Sequence, residues 1–228
     1  ATGAGVNPGE LKKKILKHFP GIFIVDVFGQ TEMTPNTTIR IDTDSEKIKD
    51  RSVGKPIVQT RIIDEKGNDV KPGEIGEIIY NSPTIMKGYY KEPEKTAEVI
   101  KDGWFYSGDL GYFDEDGEIR VVERKKECIS SGGEKIFPHE VEEILLTHPK
   151  VKEVCVIGVK DETWGSTVRA IIQLKEGEVT DEKEIIDWCR GNMAGYKKPK
   201  SVSFVDSFPV TPVGKIQRAK VKEIYGNP

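Results

Sequence analysis

Four short stretches of this sequence combine residue types that can do chemistry. In Phe28-Gly29-Gln30-Thr31-Glu32 an aromatic ring, a glycine, a hydroxyl and a carboxylate stand side by side. The glycine lets backbone amides approach a phosphate. Thr31 can donate to a phosphate oxygen, Glu32 can hold Mg²⁺ and the ring of Phe28 offers a face for adenine. Taken alone, the same string also fits a turn. In Tyr106-Ser107-Gly108-Asp109-Leu110-Gly111, an aspartate at a strand end can accept two hydrogen bonds from a ribose diol, or simply cap its own Gly-Asp turn.

The third stretch is Glu123-Arg124-Lys125-Lys126-Glu127-Cys128-Ile129, continued by Ser130-Ser131-Gly132-Gly133-Glu134-Lys135-Ile136. Arginine suits phosphate or ribose, and a glycine pair leaves backbone open to a ligand. A charged linker followed by a flexible loop has the same composition. The fourth is Pro209-Val210-Thr211-Pro212-Val213-Gly214-Lys215-Ile216-Gln217-Arg218. Its prolines stiffen a loop that presents one lysine, able to neutralise charge building up on phosphate and carboxylate oxygens. A surface loop with an ordinary lysine is the plainer reading.

The elements that must hold these stretches can be read from apolar spacing. Asn7, Pro8 and Glu10 predict a helix start, with Leu11, Ile15 and His18 on one face, Leu16 and Phe19 beside it, and Pro20-Gly21 as its end. Ile22 to Phe28 is apolar apart from Asp26, which predicts a strand covered on both faces, as in a parallel sheet with helices. The Gly29 loop then sits at the strand's carboxyl end, where open α/β sheets bind ligands. From Ile57 onward short alternating strands are expected: Val58 to Ile63, Glu77 to Tyr80, Thr84 to Tyr90, and a hairpin through Asp114-Glu115-Asp116-Gly117. After the charged run, Pro138 starts a helix carrying Val141, Ile144, Leu145 and His148. Val154 to Ile157, Val168 to Leu174 and Ser203 to Val205 read as strands, and Thr180 caps a helix to Arg190. The expected architecture is α/β passing into α+β. Residues 1–123 end a large domain with a small antiparallel sheet or barrel, and residues 124–228 form a small α+β domain.

The 228 residues are 36% hydrophobic and 32% charged, with a net charge of −3. Such a mild balance gives no electrostatic footprint for nucleic acid or an anionic membrane. Cys128, Cys155 and Cys189 make no CxxC pair, which argues against zinc and for reduced thiols in the cytoplasm. No apolar run approaches the ~20 residues of a membrane span, and no signal peptide is read at Ala1.

In this order, Gly-x-Thr-Glu, Gly-Asp-Leu-Gly, Arg-x-Lys-Glu with Gly-Gly-Glu-Lys-Ile, and Gly-Lys-Ile-x-Arg resemble the adenylate-forming superfamily of acyl-CoA synthetases, luciferases and peptide-synthetase adenylation domains. Gly73-Glu74-Ile75-Gly76-Glu77 and Asp161-Glu162-Thr163-Trp164-Gly165 look like family segments, and Gly3-Ala4 resembles the one on the adenine side. The resemblance covers essentially the whole chain. It implies an acid–thiol ligase in which ATP and a carboxylate give an acyl-adenylate and pyrophosphate, and CoA then displaces AMP. Phe28, Gly29, Gln30, Thr31, Asp109, Arg124 and Lys215 would bind ATP or AMP. Lys215, Thr31 and Glu32 would serve catalysis, with Glu32 holding Mg²⁺. Ser131, Gly132 and Gly133 would face CoA, and Glu127 would lie at the hinge of a mobile C-terminal domain.

The family's Ser/Thr/Gly-rich phosphate loop and most of its acyl pocket belong upstream of Phe28. The resemblance therefore implies a partner in the missing N-terminal portion of the same enzyme, and a chain that does not make acyl-CoA alone. The substrate would be a carboxylic acid. Gly-Gln-Thr-Glu and Ala194-Gly195-Tyr196-Lys197-Lys198-Pro199 resemble synthetases for fatty acids. Glu123 stands where the family usually has glycine, Phe28 where it more often has tyrosine, and Glu127 where aspartate is common. The alternatives are adenylation for transfer to a carrier protein and a non-catalytic adenylate-binding module. Keeping both Glu32 and Lys215 argues against the latter.

Overall fold

The computed structural model describes residues 9–49, 51–212 and 214–227. Gly3-Ala4, Asn7, Pro8 and Val213 lie outside them. The chain divides into two compact units, Ala1–Lys125 and Lys126–Pro228.

In the first unit the elements are α1 (Gly9–His18), β1 (Ile24–Gly29), β2 (Asn36–Asp42), β3 (Ser52–Pro56), β4 (Gln59–Ile63), β5 (Gly76–Asn81), α2 (Pro93–Val99), β6 (Ile100–Lys101), β7 (Trp104–Phe113) and β8 (Ile119–Arg124). The strands form one sheet in the order β1-β2-β3-β8-β7-β5-β4, with β6 beside β7. Every described ladder in it is antiparallel. Met33, Ile62, Ile78, Tyr80, Phe105 and Ile119 are the heart of its core. The β7–β8 hairpin turns at Asp114, whose carboxylate accepts the amides of Asp116 and Glu118, while Gly117 takes φ of 74°.

Three expectations for this unit change. The run from Ile22 to Phe28 is not a doubly covered parallel strand. Phe23 is 63% exposed, and β1 runs antiparallel to β2. The reason lies in Asp26 and in the helix above it. The face of α1 turned to the sheet is not Leu11, Ile15 and His18 but Lys12 and Leu16. Buried Lys12 forms ion pairs with Asp26 and with Asp42, the latter at 3.2 Å. Arg40 then joins Asp42 at 2.7 Å to Glu118 and to Ser52. A buried carboxylate needs such company, and this pairing outweighs the apolar spacing of the helix. Finally, Thr84 to Tyr90 forms turns rather than a strand. Pro83 stands just before it and Gly88 interrupts it, and its amides and carbonyls bond to the Glu32 turn and to α2 instead.

The second unit contains β9 (Ile129–Ser131), β10 (Glu134–Ile136), α3 (Pro138–Leu146), β11 (Val151–Asp161), β12 (Gly165–Leu174), α4 (Glu182–Arg190), β13 (Ser201–Phe204) and α5 (Arg218–Tyr225). β11 and β12 pair antiparallel, and β13 joins β12 in parallel. Val154, Val156, Ala170 and Ile172 belong to a core shared with α3 and α4. Their alternates, Cys155, Ile157 and Ile171, belong to a second core with Phe208 and Val221 of α5. Burial on both faces explains why these strands read as unbroken apolar runs. The cap of α4 is Asp181, which accepts the amide of Glu184, and not Thr180, whose hydroxyl donates to the Glu184 carboxylate. Among the described residues no helix is long and apolar enough to cross a membrane. None of the three cysteines forms a disulfide.

Candidate functional site

β1 ends at Gly29, where its ladder with β2 shifts register. A Cβ at Gly29 would lie 1.8 Å from the carbonyl oxygen of Pro35. Only glycine lets the chain fold back on the strand so tightly. The fold-back is a single 3₁₀ turn, Thr31–Met33, anchored below by fully buried Met33 and closed by Thr34 in the left-handed region at φ of 56°. Phe28 packs its ring, partly buried, against the same core cluster as Met33. Thr31 is left exposed at the tip.

Gln30 is extended and reaches across to β7. Its amide nitrogen donates to the Ser107 carbonyl at 3.1 Å and to the Asp109 carboxylate. Asp109 stands opposite Arg124 in the β7–β8 register. Arg124 Nε is 2.8 Å from Asp109 Oδ1, and Arg124 Nη1 donates to the Ser107 carbonyl at 3.2 Å. Asp109 is 4% exposed. Burial pushes its carboxyl above the ordinary carboxylate range, against the pull of Arg124 and Gln30. Ser107 ties the strand down: its hydroxyl donates to the Ile78 carbonyl at 2.6 Å and accepts the Asp109 amide at 3.0 Å. The structure thus brings Gln30, Asp109 and Arg124 into one hydrogen-bonded group.

Glu32 points to a different neighbour, accepting a hydrogen bond from the Tyr89 hydroxyl at 2.8 Å. No cluster of three or more metal-ligating side chains exists among the described residues. One half-buried carboxylate fits Mg²⁺, which keeps waters and takes phosphate oxygens for most of its ligands. Sequence reasoning missed two tyrosines here. Tyr89 lies in the segment misread as a strand. Tyr80 looks like a core residue, and its hydroxyl is wholly buried. Burial drives that hydroxyl's pKa up, against a hydrogen bond with Thr37, and the charges of Asp109 and Arg124 also act on it.

Glu127, Ser131, Gly132, Gly133 and Lys215 all lie in the second unit. Gly132 and Gly133 make the β9–β10 turn with φ of 59° and 89°. The Gly132 amide donates to the Trp164 carbonyl at 2.9 Å, and a Cβ there would meet the Trp164 ring at 2.7 Å. Lys215 is exposed on a tight loop: Thr211 N donates to Lys215 O at 2.8 Å, Lys215 N donates to Thr211 Oγ1 at 3.1 Å, and Gly214 takes φ of 80°. Arg218, to which sequence reasoning gave no role, clamps this unit together. It meets Glu127 at 3.0 Å, Glu142 and the Val156 carbonyl.

Two family models match the chain. The AMP-binding enzyme model covers residues 1–90 and the AMP-binding enzyme C-terminal domain model covers residues 140–215. The chain is 40% identical over 225 residues to a feruloyl-CoA synthase of Amycolatopsis sp, covering 98% of this chain and 45% of that protein. It is 40% identical over 205 residues to the 2-succinylbenzoate–CoA ligase of Geobacillus kaustophilus, covering 90% of this chain and 42% of that protein. The chain therefore spans less than half the length of these curated relatives. Among solved structures, ATP-bound MatB from Rhodopseudomonas palustris superposes with a TM-score of 0.87 at 31% identity, over 98% of this chain and 44% of its own. MenE from Bacillus subtilis, in complex with ATP and a magnesium ion, gives 0.81 at 31% identity, over 96% of this chain and 45% of its own.

Proposed function

The chain belongs to the adenylate-forming superfamily, and from that premise we propose that it serves an AMP-forming acid–thiol ligase. In the first half-reaction a carboxylate oxygen attacks the α-phosphorus of ATP and pyrophosphate leaves. In the second, the CoA thiol attacks the acyl carbon, a thioester forms, AMP leaves and the thiol proton goes to solvent. The two curated relatives described above are, by name, a CoA synthase and a CoA ligase.

The observation that carries this reading is the Gln30–Asp109–Arg124 group beside the Gly29 turn. A carboxylate buried to 4% exposure and held by an arginine and an amide is a fixed acceptor for two neighbouring hydroxyls. The Gln30 amide occupies one of its oxygens as a ribose hydroxyl would. Thr31, exposed at the turn, would meet phosphate, and Glu32 would face Mg²⁺. Phe28 would border the adenine. When bound, Mg²⁺ would offset the charge of the polyphosphate. Lys215 would add a cation where charge develops during adenylation.

The lysine and the carboxylates belong to separate compact units, and this supports a two-position mechanism. The second unit would turn about the short stretch Lys125–Glu127 and bring Ser131, Gly132 and Gly133 to the CoA path. The acid belongs to the class of carboxylates activated by CoA ligases. Fatty acids are the first candidates, and the aromatic acids in the relatives' names come next. Three cysteines without a disulfide fit a reducing compartment such as the cytoplasm. The test is acid-dependent pyrophosphate exchange into ATP by the full-length enzyme carrying this chain, over a panel of fatty and aromatic acids. Exchange followed by CoA-dependent thioester release is expected. Exchange with no acid in the panel would sink the reading.

A further inference from the structure

The segment between β5 and α2 grips the Glu32 turn at three points. Met86 N donates to the Glu32 carbonyl at 2.7 Å, Thr34 Oγ1 donates to the Thr84 carbonyl at 2.9 Å, and the Tyr89 hydroxyl donates to Glu32 Oε1 at 2.8 Å. The first fixes the backbone of the turn, and the second holds the side chain of Thr34, which closes it. The third alone acts on the carboxylate.

Tyr89 is itself held from behind. Its amide donates to Thr96 Oγ1 at 2.9 Å, and that hydroxyl is bonded back to the Glu92 carbonyl at the start of α2. Gly88, with φ of 148°, makes the approach possible, since a Cβ there would press on Thr96 at 3.0 Å. A continuous chain of contacts therefore runs from α2 through Thr96 to Tyr89 and on to Glu32. The charge of Arg124 also acts on the Tyr89 hydroxyl, opposing burial and Glu32.

We propose that Tyr89 is a positioning residue whose hydroxyl holds one oxygen of the Glu32 carboxylate and leaves the other for a divalent cation bound with a nucleotide polyphosphate. This rests on the reading of Glu32 as the metal-facing carboxylate. A glutamate free to turn about its side-chain bonds must lose that freedom when it binds. One that an outer hydrogen bond already orients does not, and loss of such a partner typically costs a metal site about 10- to 100-fold in affinity. The neighbouring Tyr90 is 85% exposed and supplies a matched control.

The test uses Mn²⁺ as the probe, with its affinity for the protein–ATP complex read by electron paramagnetic resonance. Tyr89→Phe is expected to keep the melting temperature and the affinity for ATP in chelator, and to weaken Mn²⁺ on the order of 10-fold. Glu32→Gln should weaken it at least as far, and Tyr90→Phe should not differ from wild type. If Glu32→Gln loses Mn²⁺ while Tyr89→Phe does not, the positioning role is wrong and the reading of Glu32 stands. If Glu32→Gln also keeps Mn²⁺, the reading of Glu32 falls and takes the proposal with it. A second measurement needs neither metal nor nucleotide. Side-chain couplings of Glu32 by NMR should show one rotamer in wild type and averaging in Tyr89→Phe, and a single rotamer in both would overturn the proposal by itself.

Discussion

Asp109 and Arg124 face each other across the β7–β8 ladder, with Arg124 Nε 2.8 Å from Asp109 Oδ1. The pair joins the middle of a buried strand to the last residue before the charged stretch that leads to the second unit. It braces the end of β8 and, on the function proposed above, leaves the carboxylate to accept from ligand hydroxyls. Because burial raises the Asp109 carboxyl, its ionised form is the strained one, and a ligand that donates hydrogen bonds to it relieves that strain.

Asp109→Ala should therefore weaken AMP binding. Hydrogen bonds to a charged acceptor contribute about 1.5–3 kcal/mol each, so losing two predicts a fall of at least 100-fold, read by calorimetry. The pH dependence follows from the same shift. AMP affinity should be full at high pH and fall as pH drops through the raised pKa of Asp109, at a higher pH than an ordinary aspartate would give. An affinity that does not change with the substitution would remove Asp109 from the site.

Lys215→Ala separates the two half-reactions. In the full-length enzyme, removing one preorganised cation should cost ~3 kcal/mol, or on the order of 100-fold, in acid-dependent pyrophosphate exchange. The same variant given preformed acyl-adenylate and CoA should make thioester at close to the normal rate. Equal loss in both assays would mark Lys215 as structural, and loss in neither would return it to an ordinary surface lysine.

Lys126→Pro tests the pivot. Glu127 is tied to the second unit through Arg218 at 3.0 Å, so rotation is left to the residues just before it. Lys126 is exposed and stands at the division between the units. Proline fixes φ there and restricts Lys125 as well. Adenylation should persist while thioester formation slows by an order of magnitude or more. If thioester formation keeps its normal rate, the pivot lies elsewhere.

Asp114 offers a stability test that is independent of ligands. Burial raises its carboxyl, but the hydrogen bonds from Lys49, the Glu118 amide and Arg120 outweigh this and hold it at about 2. A lowered folded pKa stabilises above the unfolded value, and the gain disappears as pH falls through the folded one. Solvent near the turn screens the effect, so Asp114→Asn should cost about 1 kcal/mol at neutral pH. The difference from wild type in urea unfolding should close between the unfolded value of 3.8 and about 2. A difference independent of pH would point to the lost turn geometry instead.

Much of the second unit was legible in the sequence because its strands are buried on both faces. Val154 to Ile157 and Val168 to Leu174 are apolar without a break, and β11 and β12 contain them. The β7–β8 hairpin was legible because Asp-Gly turns have local causes. The first unit hid more. β2 runs Asn36–Asp42 with four polar or charged side chains buried, Thr37, Thr38, Arg40 and Asp42, while its apolar Ile39 and Ile41 are exposed, so its pattern points to the wrong face. Lys12 disguised the inner face of α1 for the same reason. In the candidate site, Asp109, Gln30 and Arg124 stand in recognisable strings. Tyr89 does not, because its role depends on Glu32, which is distant in sequence and close only after folding.

The charged residues under α1 interlock as a set. Lys12 meets Asp26 and Asp42, and Arg40 meets Asp42 and Glu118, all well inside the first unit. Replacing one member leaves a buried charge without its partner, which typically costs ~3–5 kcal/mol and consumes much of a domain's stability. Replacing several together with apolar residues of similar size need not. Substitutions at positions 12, 26, 40, 42 and 118 should accordingly be acceptable in groups and rejected singly. Over many generations, a lineage would have to cross from one arrangement to another by compensated steps, and these five positions should drift as one inherited block.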